Sequence, residues 1–216
     1  MHIDPDSLPV ADRYKLLIGG IVPRPIALVS TLSPEGRSNL APFSFFAGVG
    51  SNPMTLLFCP ANKEDGTEKD TLRNAKPEDE GGTGEFVVNV VSDAFIARAV
   101  ATAEPLAYGE SEFDLSGLNP LPSVTVRPCR VAESALAYEC RTVQVVRTNP
   151  GAPSGGNIVI GRVVGVWVSP IVTEGRWRID PGRLDAVGRM GGFEYCRTRE
   201  RISLPMGKAA IEIDRS

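Results

Sequence analysis

Pro23-Arg24-Pro25-Ile26-Ala27-Leu28-Val29-Ser30-Thr31, then Ser33-Pro34-Glu35-Gly36-Arg37, then Asn39-Leu40-Ala41-Pro42-Phe43-Ser44-Phe45-Phe46, reads as two strands joined by a tight turn. The run Ile26 to Leu32 is aliphatic and rich in β formers, and Pro25 stands at its start, where a missing N–H costs no ladder bond. Ser33-Pro34-Glu35-Gly36 puts proline where a type I turn wants a preset φ and glycine where the chain must exit. The second strand is interrupted by Asn39, Ala41, Pro42 and Ser44. Pro42 cannot donate to a central ladder, so the segment belongs at a sheet edge or at a bulge. Such an edge either offers free backbone groups to a planar ligand or is simply where the sheet stops.

Outward from this hairpin the pattern is strands with a few short helices. Val10 to Ile18, followed by Gly19-Gly20, predicts a short helix packed against the sheet. Thr55 to Cys59, ended by Pro60, predicts a buried strand, and Lys63 to Lys69 a loop. Asp70 is placed to cap a helix reaching about Ala75, with Pro77 as its stop. Glu85 to Val91 predicts a strand, and Asp93 to Glu104 a helix capped by Ser92 and ended by Pro105. Leu106 to Pro122 reads as a long connection with little regular structure, either a binding loop or a plain surface excursion. Val131 to Val146 and Ile158 to Val166 predict strands joined by a loop rich in glycine and proline.

Tight strand-to-strand links and few helices favour an antiparallel barrel with peripheral helices over a doubly wound sheet. No G-x-G-x-x-G lies between a strand and a helix, which disfavours a Rossmann site. At 216 residues and 42% hydrophobic composition, one domain over 1–216 is expected against a norm of ~100–200 residues per domain. A net charge of −3 with scattered Lys and Arg gives no footprint for nucleic acid. No run approaches the ~18 apolar residues of a membrane span, and the N-terminus lacks a leader pattern, so a cytoplasmic protein is expected.

Residue counts also exclude chemistries. The single histidine is His2, which removes Ser-His-Asp and Cys-His nucleophiles and histidine metal sites. Cys59, Cys129, Cys140 and Cys196 are far apart with no C-x-x-C, so neither a zinc site nor a redox dithiol is predicted. A bound redox cofactor satisfies this constraint, because it brings the reactive group itself.

The opening string, together with Lys69-Asp70-Thr71-Leu72-Arg73-Asn74, Glu85-Phe86-Val87-Val88-Asn89, Ile158 to Val166 and Arg189-Met190-Gly191-Gly192-Phe193-Glu194-Tyr195, resembles the flavin reductase-like proteins in order and spacing. The resemblance implies a mainly β fold, an antiparallel split β-barrel of Greek-key type with a few peripheral helices. It also implies FMN as cofactor, NADH or NADPH as co-substrate, and a homodimer with flavin near the interface. An acceptor or a partner monooxygenase would take the electrons.

Its site residues follow from the same resemblance. Thr31, Asn39, Ala41, Pro42 and Phe43 would lie beside the flavin ring, and Ser44 towards the ribityl or phosphate end. Lys69 and Thr71 would meet the phosphate, with Asp70 as the helix cap; read alone, these three make an ordinary capped surface helix. Arg24 is either a phosphate contact or a surface charge. Arg189, with Gly191, Gly192 and Tyr195, would close the site from the other subunit. Trp167 stands where the family often has histidine, so no proton donor is expected there. The competing class is a non-catalytic flavin carrier or sensor, since fold does not fix function.

Overall fold

The computed structural model describes residues 1–214. Seven strands carry the fold: β1 (Ala27–Leu32), β2 (Ser38–Phe43), β3 (Phe46–Ser51), β4 (Met54–Phe58), β5 (Glu85–Val90), β6 (Leu136–Arg147) and β7 (Asn157–Val168). They form one antiparallel sheet in the order β2-β1-β5-β6-β7-β4-β3. Its outer strands, β2 and β3, are consecutive in the chain and separated only by Ser44 and Phe45. The sheet therefore curls until its two ends meet at that corner, and no ladder joins them among the described residues.

The hairpin forms as the sequence predicts. Gly36 takes φ 84°, and the turn is closed by Gly36 N–H to Ser33 O and Ser33 N–H to Arg37 O, each 2.9 Å. β2 lies at the sheet edge, as Pro42 requires. Leu40 N–H turns away from β1 to the Glu112 carboxylate, so the even residues of β2 face their backbone outwards. Pro42 is the next such position, where the absent N–H leaves no donor unsatisfied.

β1 is buried on both faces, and its Ser30 and Thr31 are buried beside the aliphatic residues with their hydroxyls hydrogen-bonded. One face, with Ala27 and Val29, packs inside the curl against Phe43, Phe58, Phe86 and Val159. The other, with Leu28, packs with Leu40, Val91, Phe95, Phe113 and Val131 beneath the peripheral helices. Inside the curl Phe58 links Phe43 and Phe86, with ring centroids 5.2 and 5.1 Å apart.

Helices α1 (Val10–Gly20), α2 (Asp70–Ala75), α3 (Ile96–Ala101) and α4 (Glu112–Ser116) surround the sheet. Several differ from expectation. No residue of α1 is buried, and its stripe Val10, Tyr14, Leu17 is uncovered, at 55%, 56% and 48% exposure. The expected helix 93–104 is a 3-10 turn at Asp93–Phe95 followed by the shorter α3. Ser92 does not cap it, because its backbone is bridged to Ala186 while Asp93 N–H donates to Asp185 O. Asp70 does not cap α2 either: the helix begins at Asp70 itself, and its carboxylate pairs with Lys63 at 3.1 Å and Arg73 at 3.5 Å.

The connection 106–122 holds α4, capped by Ser111 and stopped by Gly117 in the left-handed region. Val131 pairs with Pro120 instead of opening β6. Strand β3, built largely of small residues, carries no pattern that marks it. Near the C-terminus β8 (Val187–Arg189) and β9 (Tyr195–Arg197) form a hairpin, and the short strand Arg24–Pro25 pairs with β8, setting Arg24 opposite Arg189.

Gly161 on β7 is required by the Phe86 ring: a Cβ there would stand 2.3 Å from Phe86 Cζ. Phe86 is fully buried in the aromatic chain, so it cannot swing aside. Gly161→Ala should therefore destabilise by about 1–3 kcal/mol through overpacking. Thermal unfolding checks this, with an expected fall in Tm of roughly 2–4 °C per kcal/mol for a chain of this size.

Candidate functional site

The free edge of β2 forms the wall of a two-lobed groove. The first lobe, about 230 Å³, has Asn39, Ala41, Pro42 and Phe43 on one side and Lys69, Asp70 and Thr71 from the start of α2 on the other. Lys63, the segment Thr102–Leu106 and Glu112 complete it. Seven of the ten residues expected from the sequence are thus brought to one cavity.

The lobe is held open by a buried polar network. Asn39 Nδ2 donates to Thr31 Oγ1 at 3.2 Å and to Thr71 Oγ1 at 2.9 Å, and Asn74 Nδ2 donates to Thr31 Oγ1 at 3.1 Å. Thr31 is accordingly behind the wall and 1% exposed, where it orients Asn39 instead of lining the cavity. Thr71 is also buried, yet its hydroxyl proton is left to donate, because the oxygen is used as acceptor.

Lys69 is exposed at the lobe and pairs with no acid among the described residues, whereas Lys63 is neutralised by Asp70. No side chain caps the start of α2. Glu112 is 7% exposed, and its Oε2 accepts from Leu40 N–H at 2.8 Å. Burial pushes the Glu112 carboxyl above its ordinary value, against the opposing pull of the Leu40 N–H, and the Asp70 charge adds to the rise. Lys63, Glu112 and Thr102–Leu106 were missed by sequence reasoning; for Glu112 a usable signal existed in Ser111-Glu112-Phe113 ahead of Gly117, a capped helix start.

The second lobe, about 250 Å³, meets the first at Pro42 and Ala103. Ile18, Ile26, Ile96, Ala99 and Val100 form its apolar wall, and Tyr14, Arg24, Ser44, Arg189 and Tyr195 its polar end. Ser44 therefore lines the second lobe while Lys69 lines the first, because Arg24 Nε donates to its hydroxyl at 3.1 Å where the chain turns between β2 and β3. Arg24 is neither a surface charge nor a neighbour of Lys69. It is 3% exposed and donates to the carbonyls of Ile18, Ile21 and Met190 at 2.6–2.9 Å. Burial lowers its ordinary value, and the Arg189 charge adds to that. Arg189 stacks 4.5 Å over the Tyr195 ring and donates to the Tyr195 hydroxyl and Gly192 O within its own chain.

Trp167 lies away from both lobes, packed beside Val87, Val126 and Ala137 with the Arg130 guanidinium 4.0 Å over its ring. All four cysteines are free thiols, and burial pushes Cys129 up to about 11. Among the described residues no cluster of His, Cys, Asp and Glu could hold a metal ion, and no helix is long and apolar enough to cross a membrane.

Comparisons with known proteins identify the family. The chain matches the flavin reductase like domain over residues 19–177. A protein of Halalkalibacterium halodurans is 37% identical over 205 residues, covering 94% of this chain and 95% of the relative. Among solved structures, nitrilotriacetate monooxygenase component B from Bacillus cereus is 33% identical with TM-score 0.87, covering 94% of this chain and 98% of that one. The 2-nitrobenzoate 2-nitroreductase NbaA of Pseudomonas fluorescens is 28% identical with TM-score 0.81, covering 96% and 97%. A fold with a split sheet edge, a groove along that edge and a domain match across most of its length place this chain in the flavin reductase-like family.

Proposed function

We propose that this protein is an FMN-dependent oxidoreductase that draws electrons from NADH or NADPH and passes them to an acceptor or a partner monooxygenase. The observation that carries the reading is the first lobe, where the edge of β2 and the start of α2 converge on one cavity. Its parts fit FMN. A free strand edge suits the hydrogen-bonding rim of a planar ring, and Asn39, Ala41, Pro42 and Phe43 supply that wall. At the other end, the Lys69 ammonium and the Thr71 hydroxyl supply a cation and a donor for phosphate. Asp70 holds Lys63 beside them.

When bound, FMN supplies the two-electron redox chemistry that no side chain of this protein can provide. The protein's own task is positioning, since oriented reactants need no further catalyst for such a transfer. Asn39 is fixed by Thr31 and Thr71, so the wall cannot reorient on binding. The second lobe leaves room beside the ring, across Pro42, for a donor or acceptor. A monooxygenase partner is supported by the likeness to a monooxygenase component B. A homodimer is supported by α1, whose uncovered apolar stripe is a surface for a second copy. Four separate free thiols fit a cytoplasmic location.

The test is an anaerobic visible spectrum of the dialysed protein with FMN, before and after NADH and then NADPH. A perturbed flavin band that bleaches faster than in a protein-free control is expected; absence of FMN binding overturns the reading. Lys69→Ala should weaken FMN about 10–100-fold, the loss of one charge-assisted contact, while riboflavin, which has no phosphate, is affected much less. Fluorescence titration of both flavins measures this.

Glu112 gives a pH dependence whose sign is fixed. Burial raises its carboxyl above the ordinary value, so its negative charge is held above that raised value and is lost as pH falls through it. FMN affinity should then rise on acidification more steeply in the wild type than in Glu112→Gln. Titrations of both proteins across pH 5 to 8 (a range of about three units) compare the slopes.

A further inference from the structure

Two arginines without a carboxylate partner line the second lobe. Neither Arg24 nor Arg189 forms an ion pair among the described residues, and the lobe's lining contains no Asp or Glu. Arg24 spends four of its five N–H donors on Ser44 and on three backbone carbonyls, so its main contribution is field. Arg189 differs: only two of its donor groups are engaged, by Tyr195 and Gly192, leaving N–H groups for a ligand. A buried guanidinium without a counter-ion is costly, and an anion entering the lobe relieves both charges at once.

The remainder of the lobe is apolar. Ile26, Ile96 and Val100 share the lining with the arginines, and the volume of about 250 Å³ falls below the roughly 300–1,000 Å³ of drug-sized sites. We propose that the second lobe binds a small organic acid, a one- or two-ring apolar body carrying one anionic group, with the body on the isoleucine wall and the anion at Arg189. Resting on the flavin reading above, this names the class of molecule that meets the cofactor across Pro42. The anion of a pyridine nucleotide shares this chemistry, and the test separates the two.

The probe is 2-naphthoate, with uncharged 2-naphthamide as its control, titrated calorimetrically into the protein without flavin and again with saturating FMN. Naphthoate should bind at least tenfold more tightly than naphthamide in both conditions. In Arg189→Met that preference should collapse towards equality, and in Arg189→Lys it should return in part. Equal binding of the two probes, or a preference unchanged in Arg189→Met, overturns the proposal. Displacement of naphthoate by FMN overturns it as well, since the lobe would then belong to the flavin. Displacement by ADP-ribose reassigns the anion to the nucleotide and overturns the organic acid. Naphthoate binding to protein that fails to take FMN would sink the flavin reading while leaving this site standing.

Discussion

The amide of Asn39 is shared between two threonine hydroxyls, and the groove depends on that arrangement. Thr31 lies across the hairpin from Asn39, and Thr71 belongs to α2, so one side chain ties the free strand edge to the helix that faces it. Asn74 reaches the same Thr31 oxygen from one turn further along α2. Without these bonds four buried polar side chains would lose partners, each a loss of about 1–3 kcal/mol. The polar contact thus does what an apolar one could not, because it sets direction as well as distance. The cavity is a consequence of two elements being held at a fixed separation.

That fixed separation needs a rigid support, and β1 provides it. A strand buried on both faces belongs to two cores at once, one inside the curled sheet and one beneath the helices. The first is dense enough that Gly161 must yield its side chain to Phe86. The second carries Leu40, whose N–H holds Glu112, so α4 is fastened to the edge strand from outside. The groove therefore lies at a seam between cores, where a backbone edge can remain free without weakening either.

Much of this was legible in the sequence because it rests on local chemistry. The turn at Ser33 to Gly36 and the edge position demanded by Pro42 follow from residue type. The cluster of Asn39, Ala41, Pro42, Phe43, Lys69, Asp70 and Thr71 followed from the family resemblance, and the structure brings these residues to one cavity. What failed depends on partners distant in the chain. Asp70 reads as a cap until Lys63 and Arg73 claim its carboxylate. Ser92 reads as a cap until Ala186 bridges its backbone. A different case is Ser44 and Arg189, expected at the flavin: they line the second lobe, where the pairing of Arg24–Pro25 with β8 sets Arg189 and Arg24 holds Ser44.

Helix α1 supplies Tyr14 and Ile18 to the second lobe while none of its own residues is buried. One wall of that lobe is therefore held by little on its outer side. Any surface that covers α1 from outside also steadies the wall within, and any occupant of the lobe presents α1 in a more uniform shape to that surface. By linkage the two effects are equal in size, so association and occupancy strengthen each other reciprocally. Were that surface a second copy of the chain, ligand affinity at this lobe would become a function of protein concentration, and dilution alone would loosen what the arginines hold.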